Sequence, residues 1–295
     1  MQSRATRLRT LNTQDCAMSG ATQKTEEIRV QKHKESRFGS ANSMKTLKAR
    51  GLVLREYEAG EADKRLLLLC KNRGRLMVYA RGARKPRSKF LAASQLFTYA
   101  DFILAEGRGF YSVAQAEVIE SFYNLRTDYD RICAAHQITE VCEKNLLENS
   151  NCDDVLLLAL KSLSLLAKGK FPPAQIIGVF LLKFLDAYGI RPHSEECAIC
   201  NLPANDTMLE FFWGPEGLLC PKCGNDFKIS QAAAAAVSFI LNSKLSSAFH
   251  FNAHENVLAE LHSAANVILR HHLGKCYTLE SNQVGLRQAM PDKKH

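Results

Sequence analysis

The sequence predicts an α+β protein of several domains, in which a small β-barrel precedes a helical region that contains a metal-binding insertion. Short apolar or alternating segments, which are typical of strands, fill residues 47–121. From residue 127 onward, apolar residues recur instead with the 3.6-residue period of a helix. Two Cys-x-x-Cys pairs with 19 residues between them interrupt the helical part. This spacing is typical of four-cysteine zinc sites.

Five segments of the first part are predicted as strands. They cover residues 52–54, 66–70, 76–79, 97–104 and 110–119. The glycine-containing stretches 72–74 and 107–109 supply the turns of two hairpins. Five strands in 75 residues fit a small closed or nearly closed barrel such as the five-stranded OB-fold. An SH3-like barrel fits these observations almost as well.

The second part is predicted to contain five helices. Thr127 and Asp130 resemble a capping box that opens a helix running to Leu146. Pro172 and Pro173 suit the first turn of the third helix. The remaining predicted helices cover residues 153–167, 231–241 after a Ser230 cap, and 255–273.

These elements divide the chain into three predicted parts. Residues 1–43 are polar and charged without a hydrophobic period, so we expect a disordered extension. Residues 44–124 form the barrel domain. Residues 125–295 form the helical domain, with the zinc finger inserted at 195–226.

The cysteine pairs are predicted to hold one structural Zn²⁺. The four predicted ligands are Cys197, Cys200, Cys220 and Cys223. Each pair lies on a tight turn, and four thiolates fill a tetrahedral site without leaving a position for water. The alternatives are redox chemistry or two disulfides, but a thioredoxin-like motif needs one pair between a strand and a helix. His193 is a possible substitute ligand, and Trp213 is expected to hold the module against the helices.

A cluster of positive charge predicts contacts with nucleic acid. The net charge is +9, and residues 71–89 contain eight basic residues without a single Asp or Glu. The residues predicted to bind DNA are Arg73, Arg75, Arg81, Arg84, Lys85, Arg87 and Lys89. Glycine and proline indicate a loop at 81–89, where long cations can follow a phosphate backbone. A solvated charged surface is the other explanation.

Four aromatic residues flank this basic segment: Tyr79, Phe90, Phe97 and Tyr99. Such rings can stack on bases, although aromatic residues in strands belong more often to the core. The sequence contains no Walker lysine motif, no His-Glu-x-x-His and no Gly-x-Ser-x-Gly, which argues against catalysis and against a nucleotide site.

Several sequence features indicate a location in the cytoplasm. The first thirty residues contain no apolar segment of the kind found in a signal peptide. The longest apolar run, 176–185, is too short to span a bilayer. The six cysteines outside the zinc pairs are scattered, as expected of free thiols in a reducing compartment.

Five short strings together resemble the RecO family of bacterial DNA repair proteins. They are GLVLREY at 51–57, EADKR at 61–65, GARKPRSK at 82–89, YGIRPH at 188–193 and RHHLG at 270–274. The resemblance spans residues 44–286 and rests on the order and spacing of the strings. Residues 1–43 have no counterpart in the family pattern.

The resemblance implies an N-terminal OB-fold and a helical domain carrying a four-cysteine zinc finger. It also implies a non-enzymatic, nucleoid-associated mediator of homologous recombination in the RecF pathway. Such proteins bind single- and double-stranded DNA, anneal complementary strands and, with RecR, help to load RecA onto strands coated by single-strand binding protein. The main alternative is a zinc-containing module that binds single-stranded RNA or is associated with transcription. An enzyme with an unrecognised active site would require a zinc ion with an open position.

Overall fold

The computed structural model describes residues 45–107, 109–204, 210–224, 227–274 and 277. The predicted disordered extension at 1–43 lies outside these residues. Five strands form a closed barrel: β1 (Thr46–Ala59), β2 (Asp63–Cys70), β3 (Gly74–Ala80), β4 (Tyr99–Glu106) and β5 (Tyr111–Glu120). Their order is β1-β2-β3-β5-β4, and β4 pairs back onto β1. The parallel pairing of β3 with β5 gives the Greek-key order of an OB-like barrel and disfavours the SH3-like alternative.

The barrel interior is built from the alternate side chains of its strands. Val53, Leu66, Val78 and Phe102 are among its buried residues. The segment 81–98 between β3 and β4 consists of turns, and its Ala83, Phe90 and Ala93 belong to the same buried cluster. The basic loop at 81–89 therefore sits on a segment that is anchored in the barrel core.

The predicted fourth strand begins two residues too early. Phe97 has a φ of 69° and turns the chain, so that β4 starts only at Tyr99. The Phe97 side chain is buried, and its backbone N–H donates to the Val53 carbonyl at 3.0 Å. The buried ring and this hydrogen bond therefore hold the end of the segment 81–98 against β1.

Five helices follow, as predicted: α1 (Tyr129–Asn145), α2 (Asp153–Lys168), α3 (Pro173–Tyr188), α4 (Gln231–Asn242) and α5 (Glu255–Leu273). The α3 helix lies at the centre and contacts the other four. The predicted cap of α1 is wrong by one residue. Asp128 caps the helix by accepting a hydrogen bond from the Arg131 N–H at 3.0 Å, while Thr127 ends a preceding 3-10 turn. Ser230 caps α4 as predicted.

A small three-stranded sheet lies between α3 and α4. It comprises β6 (Phe211–Gly214), β7 (Gly217–Leu219) and β8 (Lys228–Ile229) in the order β7-β6-β8. Trp213 of β6 is only 2% exposed, and its indole N–H donates to the Ala264 carbonyl of α5 at 3.0 Å. This contact holds the sheet against the helices, as the sequence predicts.

The outer face of the barrel and the helices share a hydrophobic core, which is separate from the barrel interior. Leucines on the outer face of the barrel, including Leu67 and Leu69, belong to the same buried cluster as Ile138 of α1 and Leu163 of α2. A hydrogen bond reinforces this shared core, since the Asn72 N–H donates to the Asp153 carboxylate of α2 at 2.6 Å. The division into domains at residues 124/125 therefore stays a prediction. No helix in the described part of the chain is long and apolar enough to cross a membrane.

Candidate metal centre and nucleic-acid interface

The structure brings the four predicted zinc ligands together. The Sγ atoms of Cys197, Cys200, Cys220 and Cys223 all lie within 4.8 Å of one another, and those of Cys200 and Cys220 are 3.6 Å apart. A tetrahedron with zinc–sulfur bonds of about 2.3 Å has edges of about 3.8 Å, close to this separation. A disulfide would need about 2.05 Å, and all four cysteines are free thiols. The group therefore has the composition and size of a zinc site.

Local backbone hydrogen bonds build the two cysteine turns. In the first, the Cys197 N–H donates to the Leu202 carbonyl at 2.8 Å, and Asn201 adopts a positive φ of 57°. In the second, the N–H groups of Cys223 and Gly224 both donate to the Cys220 carbonyl, at 3.0 and 2.9 Å. Each turn is thus formed by residues next to its own cysteines, which explains why spacing alone predicts the site.

The backbone also favours the thiolate form of Cys197. Burial raises the pKa of this thiol, but the N–H groups of Cys200, Cys220 and Ile199 outweigh burial and lower the pKa to about 6. The thiolate is the form of cysteine that binds a metal. His193 is not part of the group, and its imidazole lies 3.8 Å from the Glu196 carboxylate.

A second set of possible metal ligands lies on the surface near the metal module, which is the cysteine-containing region at residues 195–226. Glu216, His271 and His272 are exposed. The His272 ring lies 3.3 Å from the Glu216 carboxylate and 3.2 Å from the Pro215 carbonyl. These contacts tie the turn between β6 and β7 to the end of α5.

Three of the seven predicted DNA-binding residues are held by other parts of the protein. The Arg84 guanidinium lies 3.1 Å from the Glu58 carboxylate and donates to the Gly60 carbonyl at 3.2 Å. Arg75 is half-buried and donates to the Glu143 carbonyl. The Lys89 ammonium donates to the Ala114 carbonyl at 3.2 Å and lies over the Phe90 ring. Arg84 and Lys89 thus hold the basic loop on the barrel, whereas Arg75 connects β3 to α1.

The other four are exposed: Arg73, Arg81, Lys85 and Arg87. Within the described residues, none of the four forms a side-chain hydrogen bond or an ion pair. Three of them lie on the basic loop at 81–89. The structure thus leaves a small set of cations available to an anionic ligand.

Two of the four flanking aromatic residues are buried in the core, and the other two are partly exposed. Phe90 and Phe97 are 7% and 1% exposed and belong to the core. Tyr99 is half-buried against the shared core. Tyr79 lies on the barrel surface, where its ring contacts Phe110 with a centroid separation of 5.5 Å. Sequence reasoning did not single out Phe110, because its partner lies on a strand that is not adjacent in sequence.

Comparison with known proteins gives a consistent result along the chain. The family model described as "Recombination protein O N terminal" matches residues 44–122, and "Recombination protein O C terminal" matches residues 126–281. The DNA repair protein RecO of Acetivibrio thermocellus is 37% identical over 239 residues, which cover 80% of this chain and 95% of the relative. The DNA repair protein RecO of Symbiobacterium thermophilum is 30% identical over 225 residues, covering 74% of this chain and 89% of the relative.

Proposed function

Because the chain belongs to the RecO family of DNA repair proteins, we propose that it is a non-catalytic mediator of recombination. It binds single- and double-stranded DNA and anneals complementary strands. Together with RecR it helps to load RecA onto strands coated by single-strand binding protein. It works in the cytoplasm at the nucleoid. The observation that supports DNA binding most directly is the set of four exposed cations on the barrel that have no hydrogen-bond or ion-pair partner among the described residues.

The basic loop is the part of this surface that we assign to the phosphate backbone. Two hydrogen bonds anchor its start: the Gly82 N–H donates to the Asp63 carboxylate at 2.7 Å, and the Arg84 N–H donates to the Ala62 carbonyl at 2.9 Å. The loop can therefore present Arg81, Lys85 and Arg87 to a ligand while its backbone stays attached to the barrel. Annealing brings two polyanions together, and cationic side chains reduce the repulsion between them without nucleotide hydrolysis.

Charge reversal of the basic loop tests this function. We expect the triple variant Arg81→Glu, Lys85→Glu and Arg87→Glu to lose most of its affinity for single-stranded DNA. Its salt dependence, plotted as the logarithm of affinity against the logarithm of salt concentration, should be shallower by about 2, since each phosphate contact contributes about 0.7. Fluorescence anisotropy titrations over a range of salt concentrations measure both quantities.

A matched control separates the loop from the overall charge. Reversal of Lys161, Lys168 and Lys170, on and just after α2, changes the net charge by the same amount at a distance from the loop in sequence. We expect the wild type and this control to accelerate annealing of strands coated with single-strand binding protein, without ATP, and the loop variant to fail. Equal annealing by both variants would contradict the assignment.

We also propose that the four cysteines hold one structural Zn²⁺ in the module at residues 195–226. The metal supplies a cross-link between the two cysteine turns, and a site filled by four sulfurs leaves no position for a reacting water. The four Sγ atoms within 4.8 Å support this proposal. The RNA-binding alternative gains no support from the comparisons, and competition between DNA and RNA oligonucleotides of equal sequence discriminates between the two.

A further inference from the structure

A row of three side chains crosses the outer face of the barrel from β1 to β3. Tyr57 of β1 is the register partner of Arg65 in β2, and Arg65 is the register partner of Tyr79 in β3. Directly paired residues project from the same face of a sheet. Phe110, in the turn between β4 and β5, extends the row because its ring meets Tyr79 edge-on. We call these four residues the aromatic row.

The row lies beside the part of this face that the helices cover. Leu67 and Leu69, further along β2, are buried in the shared core. In contrast, Phe110 is 37% exposed, Arg65 is exposed and Tyr79 is half-buried. Tyr57 marks the border, since its hydroxyl donates to the Glu143 carboxylate of α1 at 2.9 Å.

The charges around the row favour an anionic ligand. The Arg65 guanidinium lies 5.7 Å from the Tyr57 ring centroid, and no described residue accepts a hydrogen bond from it. The acidic residues near Tyr57 are already paired: Glu56 with Lys64, Glu58 with Arg84, and Glu143 with Arg55. The positive charge of Arg65 is therefore not neutralised within the described residues. The basic loop begins with Arg81, only two residues after Tyr79.

Aromatic rings and arginine planes are the surfaces on which unpaired bases stack in single-strand binding proteins. Neighbouring strands are about 4.8 Å apart, so that Tyr57 and Tyr79 are separated by about 10 Å. A strand that crosses the row would contact Tyr57 and Arg65 through one base and Tyr79 and Phe110 through another. Bases within a duplex are stacked on one another, and their faces are not available to such a surface.

We propose that the aromatic row is a stacking platform for the bases of an unpaired DNA strand. The basic loop holds the phosphates without regard to base pairing, while the row confers a preference for single strands over duplex DNA. This inference rests on the proposed function and deepens it, because it assigns separate residues to phosphate binding and to recognition of unpaired bases.

The test uses the full chain with the variants Tyr79→Leu and Phe110→Ala, singly and together. Tyr79→Phe retains the ring, and Tyr123→Ala removes a ring that is 68% exposed outside the row. The probes are labelled oligothymidylate, an abasic strand of equal length and a blunt duplex. Thermal unfolding shows that each variant is folded.

We expect the double variant to bind oligothymidylate about tenfold more weakly or worse, because stacking on one side chain contributes about 1–3 kcal/mol per base and 1.4 kcal/mol is a factor of ten. Its affinity for the abasic strand and for the duplex should stay at the wild-type value. Tyr79→Phe and Tyr123→Ala should bind all probes normally. The loop-reversal variant should instead weaken binding of all three probes.

Two results would overturn the inference and leave the proposed function intact. One is a folded double variant with wild-type affinity for oligothymidylate, and the other is an equal loss of affinity for the abasic strand. A wild-type protein that binds no DNA probe would overturn both proposals together. Tighter binding of oligouridylate than of oligothymidylate by the wild type would assign the row to RNA and reject the DNA strand as its ligand.

Discussion

His262 is a partly buried ionisable residue in the contact between α1 and α5. Its Nε2 atom lies 3.1 Å from the Gln137 side-chain amide, and its Nδ1 atom lies 3.2 Å from Nδ2 of Asn266. Burial lowers the pKa of the imidazole to about 4. The same Asn266 amide donates to the Tyr277 carbonyl at 2.8 Å, so a charged His262 would disturb the attachment of Tyr277 as well.

This environment predicts a loss of stability in mild acid. The unfolded histidine has a pKa of 6.5, whereas the folded one stays neutral down to about 4. As the pH falls below 6.5, the unfolded chain binds a proton first, and the free energy of unfolding decreases until the pH reaches about 4. Between about pH 7.5 and pH 5, the contribution of this residue is a loss of about 2 kcal/mol.

Urea unfolding of the wild type and of His262→Gln at both pH values measures this effect. The variant has no group that titrates at this position, so we expect its free energy of unfolding to decrease less between the two pH values. Changes of equal size in the two proteins would show that His262 does not cause the acid sensitivity. Each protein is compared with itself at the two pH values, so a change in the stability of the variant at neutral pH does not affect the conclusion.

The residues that sequence reasoning identified best are those whose partners are local. Backbone groups within five residues close each cysteine turn, so the spacing of the cysteines is enough to predict the metal site. The arginines differ, because their state depends on distant partners. Arg84 meets Glu58 of β1, and Arg75 meets Glu143 of α1. The sequence shows how many cations the segment contains. It does not show which of them have hydrogen-bond or ion-pair partners among the described residues of the fold.

At the scale of elements, hydrophobic period and turn residues predicted all five barrel strands and all five main helices. The errors are at the ends, as with the α1 cap and the start of β4, where one side chain or one positive φ decides the boundary. The parallel pairing of β3 with β5 could not be predicted from local pattern, because it depends on how the segment 81–98 packs into the barrel. The aromatic row exists only as a result of strand register.

The metal module is the element whose stability should depend most on a ligand. We expect zinc removal by a chelator, or Cys220→Ser, to unfold the module, because structural zinc contributes on the order of 10 kcal/mol to small modules of this kind. Trp213 is the single tryptophan of the chain and is 2% exposed against α5, so its fluorescence reports on the module directly. Exposure of the indole to an aqueous quencher is the expected signal.

Cys133→Ser is the matched control for this experiment, since Cys133 is a free thiol outside the group of four. We expect this variant to retain one zinc ion per chain and a protected tryptophan. An apo protein whose Trp213 stays protected would mean that β6 packs against α5 without help from the metal. Metal analysis of the purified wild type provides the reference value.

At the scale of the whole molecule, the shared core predicts that the barrel and the helices unfold together. Leu52, Leu54, Leu67 and Leu69 of the barrel are all at most 5% exposed because they belong to the cluster that includes the helices. Loss of either part would place these side chains in water, at a cost of about 1.5–3 kcal/mol for each leucine. Calorimetry of the zinc-loaded protein should therefore show one main transition.

A calorimetric enthalpy equal to the van't Hoff enthalpy is the quantitative form of this prediction. Two transitions, one of them assigned to the barrel by its β-sheet signal in circular dichroism, would contradict it. The predicted boundary at residues 124/125 would then mark two independent folding units. A single transition would mean that this boundary separates strands from helices within one cooperative folding unit.

The shared core also has a consequence for the order in which the protein is made. The barrel strands leave the ribosome first, but the leucines on their outer face find their partners only after α1 and α2 have emerged, up to Lys168. At about 5–20 residues per second, several seconds separate the two events. During this interval the nascent barrel displays a hydrophobic face of the kind that chaperones bind, and slowing translation between β5 and α2 should lengthen its association with them.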